Sequence, residues 1–157
     1  MREDLISALG SSPRIIERLL RVFPKERLDD RPDPDRFTPR EVIAHLADWE
    51  QIVLDRVRVA NKRPGTAGPV DDPGERAIAH HYGDKDVFHE AEVFESRRQT
   101  TMEYLSGLDA PDLQKTFIHP VHGEMTIESY MVNILAHDVY HMDQLSCFFA
   151  TEAATIL

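Results

Sequence analysis

The 157-residue sequence has a single cysteine, no long apolar run and comparatively few basic residues, and each of these excludes a class of protein. One cysteine, Cys147, forms no disulfide within the chain, which argues against a disulfide-stapled secreted domain. No apolar stretch approaches the ~20 residues that a membrane-spanning helix needs. The first residues, MREDLISALG, lack the basic and apolar segments of a signal peptide. We therefore expect a soluble, cytoplasmic protein.

Acidic residues outnumber basic ones, with 28 Asp and Glu against 18 Lys and Arg and a formal charge of −10. Proteins that bind nucleic-acid phosphates or anionic lipid need a basic surface. The sequence also contains no glycine-rich phosphate loop or nucleotide fingerprint. The composition argues against a nucleic-acid or membrane partner.

Apolar residues recur at helical spacing in four long segments, which predicts an all-α protein with a single domain over residues 1–157. The predicted helices cover residues 2–22, 39–61, 86–106 and 127–150, approximately. The second has the best-marked start, because Thr38 can cap it, Pro39 suits the first helical position and Glu41 completes a capping box. Pro13 predicts a kink or a new start within the first helix.

Two long connections separate the predicted helices. Residues 62–85 are rich in Pro and Gly, and we expect a short helical turn there and a segment that covers a pocket. Residues 108–125 contain TFIHPVHGEM, which predicts a small hairpin turning near His122 and Gly123. Four helices with two substantial connections indicate a four-helix bundle with a long crossover.

Histidines interrupt the apolar faces of two predicted helices. His137 and His141 are four residues apart, so their side chains point the same way, one helical turn apart. His45 interrupts the second helix in the same manner, between Val42 and Trp49. Each of the three histidines has an alternative interpretation as a core residue bonded to a backbone carbonyl. An unpaired polar group there costs about 1–3 kcal/mol, so a compensating partner is expected.

If the two helices are neighbours, the three imidazoles converge on one point. Three neutral histidines that leave coordination positions open are typical of a catalytic metal site, where the metal lowers the pKa of a bound water towards ~7. His45, His137 and His141 are therefore the predicted metal ligands. Affinity order alone does not choose between zinc, nickel and other divalent ions.

Two further residues are candidates for catalysis. Asp138 stands where H-E-x-x-H proteases have glutamate, but its shorter side chain makes a ligand's partner or a surface charge the simpler interpretation. Arg98 falls on the inner face of the third helix, where it would bind an anionic substrate group through paired hydrogen bonds. Its alternative is an outward-pointing side chain, or an ion pair with Glu95 or with a carboxylate of a neighbouring helix.

The other polar and aromatic candidates are assigned to packing or to the surface. Cys147 is predicted to be a small buried residue rather than a nucleophile. Trp49 and Tyr130 are predicted to pack, with lining of a pocket as the alternative. The remaining histidines are predicted to be solvated: His80, His81, His89, His119 and His122.

Two segments resemble the DinB superfamily, HLADWE at residues 45–50 and HDVYHMDQL at residues 137–145. The likeness covers nearly the whole chain, and the two-part pattern is more specific than either half. The resemblance implies a four-helix bundle with a long crossover, often a homodimer, in which three histidines hold a divalent metal, commonly nickel or zinc. Carried over to this sequence, the ligands are His45, His137 and His141.

The resemblance also implies a range of activities. Characterised members include transferases and isomerases that use a low-molecular-weight thiol, and others are described as metal-dependent hydrolases. We expect a metal-dependent enzyme, a thiol-dependent S-transferase or a hydrolase, acting on a small molecule in stress or detoxification. The alternative is a non-catalytic bundle that binds a metal or a small molecule in a stress response.

Overall fold

The computed structural model describes residues 2–149, and in this range the regular secondary structure is helical apart from one small hairpin. The helices are α1 (Arg2–Val22), α2 (Pro39–Lys62), α3 (Pro73–Ala79), α4 (Val87–Ser106) and α5 (Ile127–Ser146). The strands are β1 (Thr116–His119) and β2 (Gly123–Thr126). None of these helices combines the length and the apolar composition needed to cross a bilayer.

The helix starts follow the capping chemistry of the sequence. The Thr38 hydroxyl accepts from the Glu41 amide at 3.2 Å, and the Glu41 carboxylate accepts from the Thr38 amide at 2.8 Å, so the predicted capping box is confirmed. Asp86 and Thr126 cap α4 and α5 through their side chains. At the other end, α5 stops at Ser146 and a 3₁₀ turn follows. Position 150, to which the last helix was predicted to extend, lies outside the described residues.

α1 runs through Pro13 without ending, so the predicted fresh helix start is wrong. A proline has no amide hydrogen, which leaves the carbonyl four residues earlier without its helical partner. That carbonyl belongs to Leu9, and the buried Arg98 guanidinium of α4 donates to it at 3.0 Å. The side chain of a neighbouring helix therefore replaces the missing backbone bond.

The four long helices form a bundle in which α1 and α2 each pack against both α4 and α5. The first turns of α2 and of α4 both contribute side chains to one apolar cluster. The last turns of both helices contribute side chains to a second apolar cluster. These two neighbours are therefore parallel, and residues 63–86 must return along the bundle between them. The predicted four-helix bundle with a long crossover is confirmed.

A buried polar layer separates the two apolar clusters of the core. Glu50 of α2, Arg98 of α4 and Asp138 of α5 are each at most 2% exposed. On each helix, this residue stands between the side chains that enter one cluster and those that enter the other. One cluster is built mainly from Ile16, Leu20, Ile43, Leu46, Phe94 and Leu145, and the other from Leu9, Val53, Val57, Leu105, Tyr130 and Ile134.

The hairpin fastens the first part of the crossover to the bundle. β1 pairs with β2 in antiparallel register, and Gly123 in the turn has a φ of 74°. Residues 65–68 pair with the other edge of β1, where the Ile118 amide donates to the Thr66 carbonyl at 2.9 Å. Gly68 is needed for this approach, because a Cβ there would lie 2.8 Å from the Phe117 ring. The hairpin predicted from the sequence is confirmed.

Candidate metal centre

Three histidine side chains meet between α2 and α5, as the helical-face argument predicted. The Nε2 atom of His137 lies 3.1 Å from that of His45 and 3.2 Å from that of His141. One nitrogen from each ring lies within 4.8 Å of the other two. His45 and His141 are buried, and His137 is half-buried. Because α2 and α5 are neighbours in the bundle, residues distant in sequence share one point.

Gln144 fixes the tautomer of His141. The Gln144 amide nitrogen donates to the Phe37 carbonyl at 3.0 Å, so its amide oxygen faces Nδ1 of His141 at 3.1 Å. An amide oxygen only accepts, so Nδ1 carries the hydrogen of the neutral ring. Nε2 of His141 therefore presents its lone pair to the other two histidines.

Burial keeps these imidazoles neutral. Burial, followed by the neighbouring His137 ring, lowers the pKa of His141 to about 3. Burial also lowers the pKa of His137, and burial with the two neighbouring rings holds the pKa of His45 well below its usual value. Neutral imidazole is the form that binds metal ions.

The donor set fits a divalent ion. Nδ1 of His45 is buried and has no hydrogen-bond partner among the described residues, so contacts at Nε2 alone must offset the burial of this ring. A cation shared by three inward-facing imidazole nitrogens supplies that compensation. Three such nitrogens are the ligand set of catalytic zinc sites and also suit nickel.

A cavity of about 830 Å³ opens beside the histidines and is lined by His45 and His137. Its volume is in the range of small-molecule sites. Trp49, Tyr130 and Ile134 form apolar parts of the wall, so the two aromatic residues line the pocket as well as packing. Residues of the crossover, including those of α3, also line this cavity, so this connection forms part of its wall.

Asp48 holds the crossover against α2. Its carboxylate accepts from Arg76 at 2.7 and 2.9 Å and from the Tyr82 hydroxyl at 2.6 Å, and His80 lies 3.0 Å away. Burial raises the pKa of Asp48, but the hydrogen bonds from Arg76 and Tyr82 outweigh burial and bring the pKa down to about 2. We did not predict this role for Asp48, although its position one helical turn after His45 places it near the same face.

With the fold and the site defined, comparison with known proteins identifies the family. The sequence profile of the DinB superfamily matches residues 8–145. The chain belongs to the DinB superfamily. A comparison of this DinB-superfamily protein with curated protein sequences found no significant match.

Two solved structures share its fold. YfiT from Bacillus subtilis is described as a probable metal-dependent hydrolase with an unusual four-helix bundle topology. It aligns with a TM-score of 0.87 and 18% identity over 94% of this chain and 85% of YfiT. TT2238, described as a four-helix bundle protein, aligns with a TM-score of 0.68 and 18% identity over 94% of this chain and 99% of its own.

Arg98 and Asp138 form a buried ion network instead of facing the cavity. The Arg98 guanidinium donates to the Asp138 carboxylate at 2.7 and 3.2 Å and lies 2.9 Å from a Glu50 oxygen. The predicted alternatives of a surface charge for Asp138 and an outward side chain for Arg98 are therefore wrong. The alternative of an ion pair with a neighbouring helix is confirmed for Arg98. Neither residue lines the cavity, so their catalytic roles stay predictions that this placement does not support.

The predicted burial of Cys147 and the predicted exposure of His119 are both wrong. Cys147 is exposed, because α5 ends at Ser146 and the helical periodicity does not extend into the following 3₁₀ turn. His119 is buried, whereas the other four histidines of that set are exposed as predicted. The hairpin carries His119 inward, onto Arg56 of α2. Neither Arg56 nor His119 stood out as a site residue in the sequence.

Proposed function

We propose that this DinB-superfamily protein is a divalent-metal-dependent enzyme that hydrolyses a small molecule bound in the cavity beside His45 and His137. The observation that carries the proposal is the convergence of three neutral imidazoles at the wall of an open cavity. The fold shared with YfiT, itself described as a probable metal-dependent hydrolase, supports it. Zinc or nickel is the proposed ion.

In this proposal, one set of residues would hold the ion and another would contact the substrate. A bound divalent ion would supply Lewis acidity, which lowers the pKa of a coordinated water or thiol. His45, His137 and His141 would hold it, and Gln144 keeps the Nε2 lone pair of His141 directed to the same point. Trp49 and Ile134 offer apolar contact area to the substrate.

Glu75 is the proposed proton acceptor. Three carboxylates of the crossover line the cavity, those of Asp71, Asp72 and Glu75. Asp71 is paired with Arg76, and Asp72 caps α3 through its side chain. The Glu75 carboxylate makes no hydrogen bond or ion pair to another side chain in the described part of the chain. It is therefore the carboxylate of this wall that is available to take a proton from an attacking group.

Thiol transfer is the second candidate. A cavity of about 830 Å³ lies near the upper end of the range for small-molecule sites, which gives room for a low-molecular-weight thiol and an electrophile together. In this reaction the thiol, as its nucleophilic thiolate, would replace water as the attacking group.

The test is a panel of ester, amide and electrophile substrates, each with and without a low-molecular-weight thiol. If the protein is a hydrolase, turnover is expected without thiol. A chelator should remove this turnover, and added zinc or nickel should restore it. The Glu75→Gln variant should turn over substrate more slowly than wild type at the same metal content. Turnover that requires the thiol would replace hydrolysis by transfer. Stoichiometric metal with no turnover in either series would contradict an enzyme and favour a non-catalytic binding protein.

A further inference from the structure

Arg56 is a buried cation without an anionic partner. Its side chain is on α2 and only 2% exposed. In the part of the chain that the structure describes, its guanidinium makes no ion pair, and its contacts are neutral: the Pro69 carbonyl at 3.0 and 3.2 Å, the Tyr130 hydroxyl at 3.3 Å and the His119 ring at 3.1 Å. Arg98, equally buried, contacts two carboxylates. Buried charges are ordinarily paired, so Arg56 stands out.

The groups around Arg56 supply more hydrogen-bond donors than acceptors. The backbone amides of Val121 and His122 donate to Nδ1 of His119 at 3.1 and 3.2 Å, while its Nε2 faces Arg56. Burial, and then the charge of Arg56, lowers the pKa of His119 to about 4, so the ring is neutral and has one lone pair. Because Nδ1 uses this lone pair to accept from the two amides, Nε2 must carry the ring hydrogen. That hydrogen points at the Arg56 guanidinium, which is itself a hydrogen-bond donor.

Tyr130 adds a further donor to this group. Its hydroxyl oxygen accepts from Arg56, and no acceptor for its own hydrogen is found among the described residues. Arg56 has five N–H groups and makes three hydrogen bonds, to the Pro69 carbonyl and the Tyr130 hydroxyl, which leaves two N–H groups free because the facing Nε2 of His119 is itself a donor. A positive charge surrounded by unmatched donors is the complement of an oxyanion.

The donor group opens on the same cavity as the histidines. Arg56, His119 and Tyr130 all line it, together with His45 and His137. Trp49 lies between the two ends, because its ring is 5.5 Å from the Arg56 guanidinium and 5.3 Å from the His45 ring. A single small molecule can therefore reach both.

We infer that Arg56, His119 and Tyr130 form a subsite for the anionic group of a small organic acid, a carboxylate whose apolar body lies against Trp49 and Ile134. An acidic oxygen would accept from a free N–H of Arg56, from Nε2–H of His119 and from the Tyr130 hydroxyl, and it would neutralise the buried charge. The inference rests on the proposed function, because it takes a small organic acid to be the substrate of the proposed enzyme. Binding of the anion itself does not require turnover.

Trp49 provides the measurement, because it is the only tryptophan of the chain. Benzoate and its neutral analogue benzamide are titrated against the protein at pH 7.5, with Trp49 fluorescence as the readout. Benzoate is expected to bind saturably. Benzamide is expected to bind at least about tenfold more weakly, because it cannot form the charged hydrogen bonds that the carboxylate forms. Equal affinities, or no saturable fluorescence change with benzoate, would overturn the inference.

Variants locate the binding. Arg56→Met is expected to weaken benzoate by about tenfold or more, whereas Arg58→Met, two positions along α2 and outside the cavity lining, leaves the affinity unchanged. Tyr130→Phe keeps the ring and is expected to weaken benzoate several-fold, which tests the subsite even if Arg56→Met does not fold. Unchanged benzoate affinity in Tyr130→Phe and in any folded Arg56→Met would overturn it.

His137→Ala separates this inference from the proposed metal chemistry. The subsite predicts that benzoate still binds to His137→Ala and that the dependence on Arg56 persists, whether or not the protein holds a metal. Affinity that disappears in His137→Ala and survives in Arg56→Met would place the carboxylate on the metal instead. That result would end the inference and leave the proposed function standing.

Discussion

His45 and His137 are 92 positions apart in the sequence, and their Nε2 atoms lie 3.1 Å apart. The packing of α2 against α5 brings them together, with His141 one turn further along α5. The same two helices also border the cavity that holds the Arg56 subsite. The proposed substrate and metal positions would thus be set by one helix pair and by the crossover that lines the same cavity.

Gln144→Leu should weaken metal binding without removing it. The substitution leaves Nδ1 of His141 and the Phe37 carbonyl without their partner, so the ligand ring loses its fixed tautomer and orientation. Loss of such a partner typically costs 10–100-fold in metal affinity. Competition with a chromophoric chelator measures it, and Gln51→Leu, an exposed position on α2, is the control. Equal affinity in Gln144→Leu and wild type would show that Gln144 does not orient the ligand.

Asp48→Asn should loosen the crossover while the histidines still bind metal. The amide keeps the shape of the side chain but removes the charge that holds Arg76 and replaces one of the two acceptor oxygens shared by Arg76 and Tyr82 with an NH2 donor. Faster amide hydrogen exchange is expected over residues 73–84, compared with wild type and with Asp55→Asn on the exposed side of α2. Unchanged exchange would mean that other contacts hold this segment.

The metal-free protein should lose stability as the pH falls from about 6.5 towards 4. His119 and His141 have folded pKa values of about 4 and about 3, below the usual 6.5, so the unfolded chain binds more protons in this window. Stability then rises with pH by up to ~1.4 kcal/mol per unit for each such histidine. Urea unfolding in the presence of chelator measures this, and His119→Gln should flatten the slope. A slope that is flat between pH 4 and 6.5 would contradict the neutral, buried state of these rings.

Arg98→Met should destabilise the fold by about 3–5 kcal/mol, because Glu50 and Asp138 lose their common cation. The Leu9 carbonyl opposite Pro13 also loses its donor. The free energy of unfolding in urea at pH 7 measures the effect. Arg18→Met, exposed on α1, is expected to stay within about 0.5 kcal/mol of wild type. A similarly small effect of Arg98→Met would contradict the importance of the buried layer.

Local chemistry made much of the fold predictable. The capping box at Thr38, the turn chemistry around Gly123 and the apolar spacing of the long helices act between near neighbours in sequence, so their positions could be derived. The inward positions of His45, His137 and His141 followed from the same spacing, and their convergence required only that α2 and α5 be adjacent.

The rest depended on contacts between distant segments. Arg98 carries the same charge on the surface or in a core, and only the meeting of α2, α4 and α5 pairs it with two acids. His119 lies in a loop with no periodicity to show its direction, and it is buried because the hairpin folds onto Arg56. Cys147 was misplaced because helical spacing was extended past the end of α5.

The metal content of His45→Ala tests the central claim most directly. Wild type and His89→Ala, which removes an exposed histidine of α4, are predicted to carry about one zinc or nickel ion per chain after growth without added metal, as measured by elemental analysis. His45→Ala, folded by circular dichroism, is predicted to carry almost none, because the ion requires ligands from both α2 and α5. A full equivalent of metal in folded His45→Ala would contradict the account.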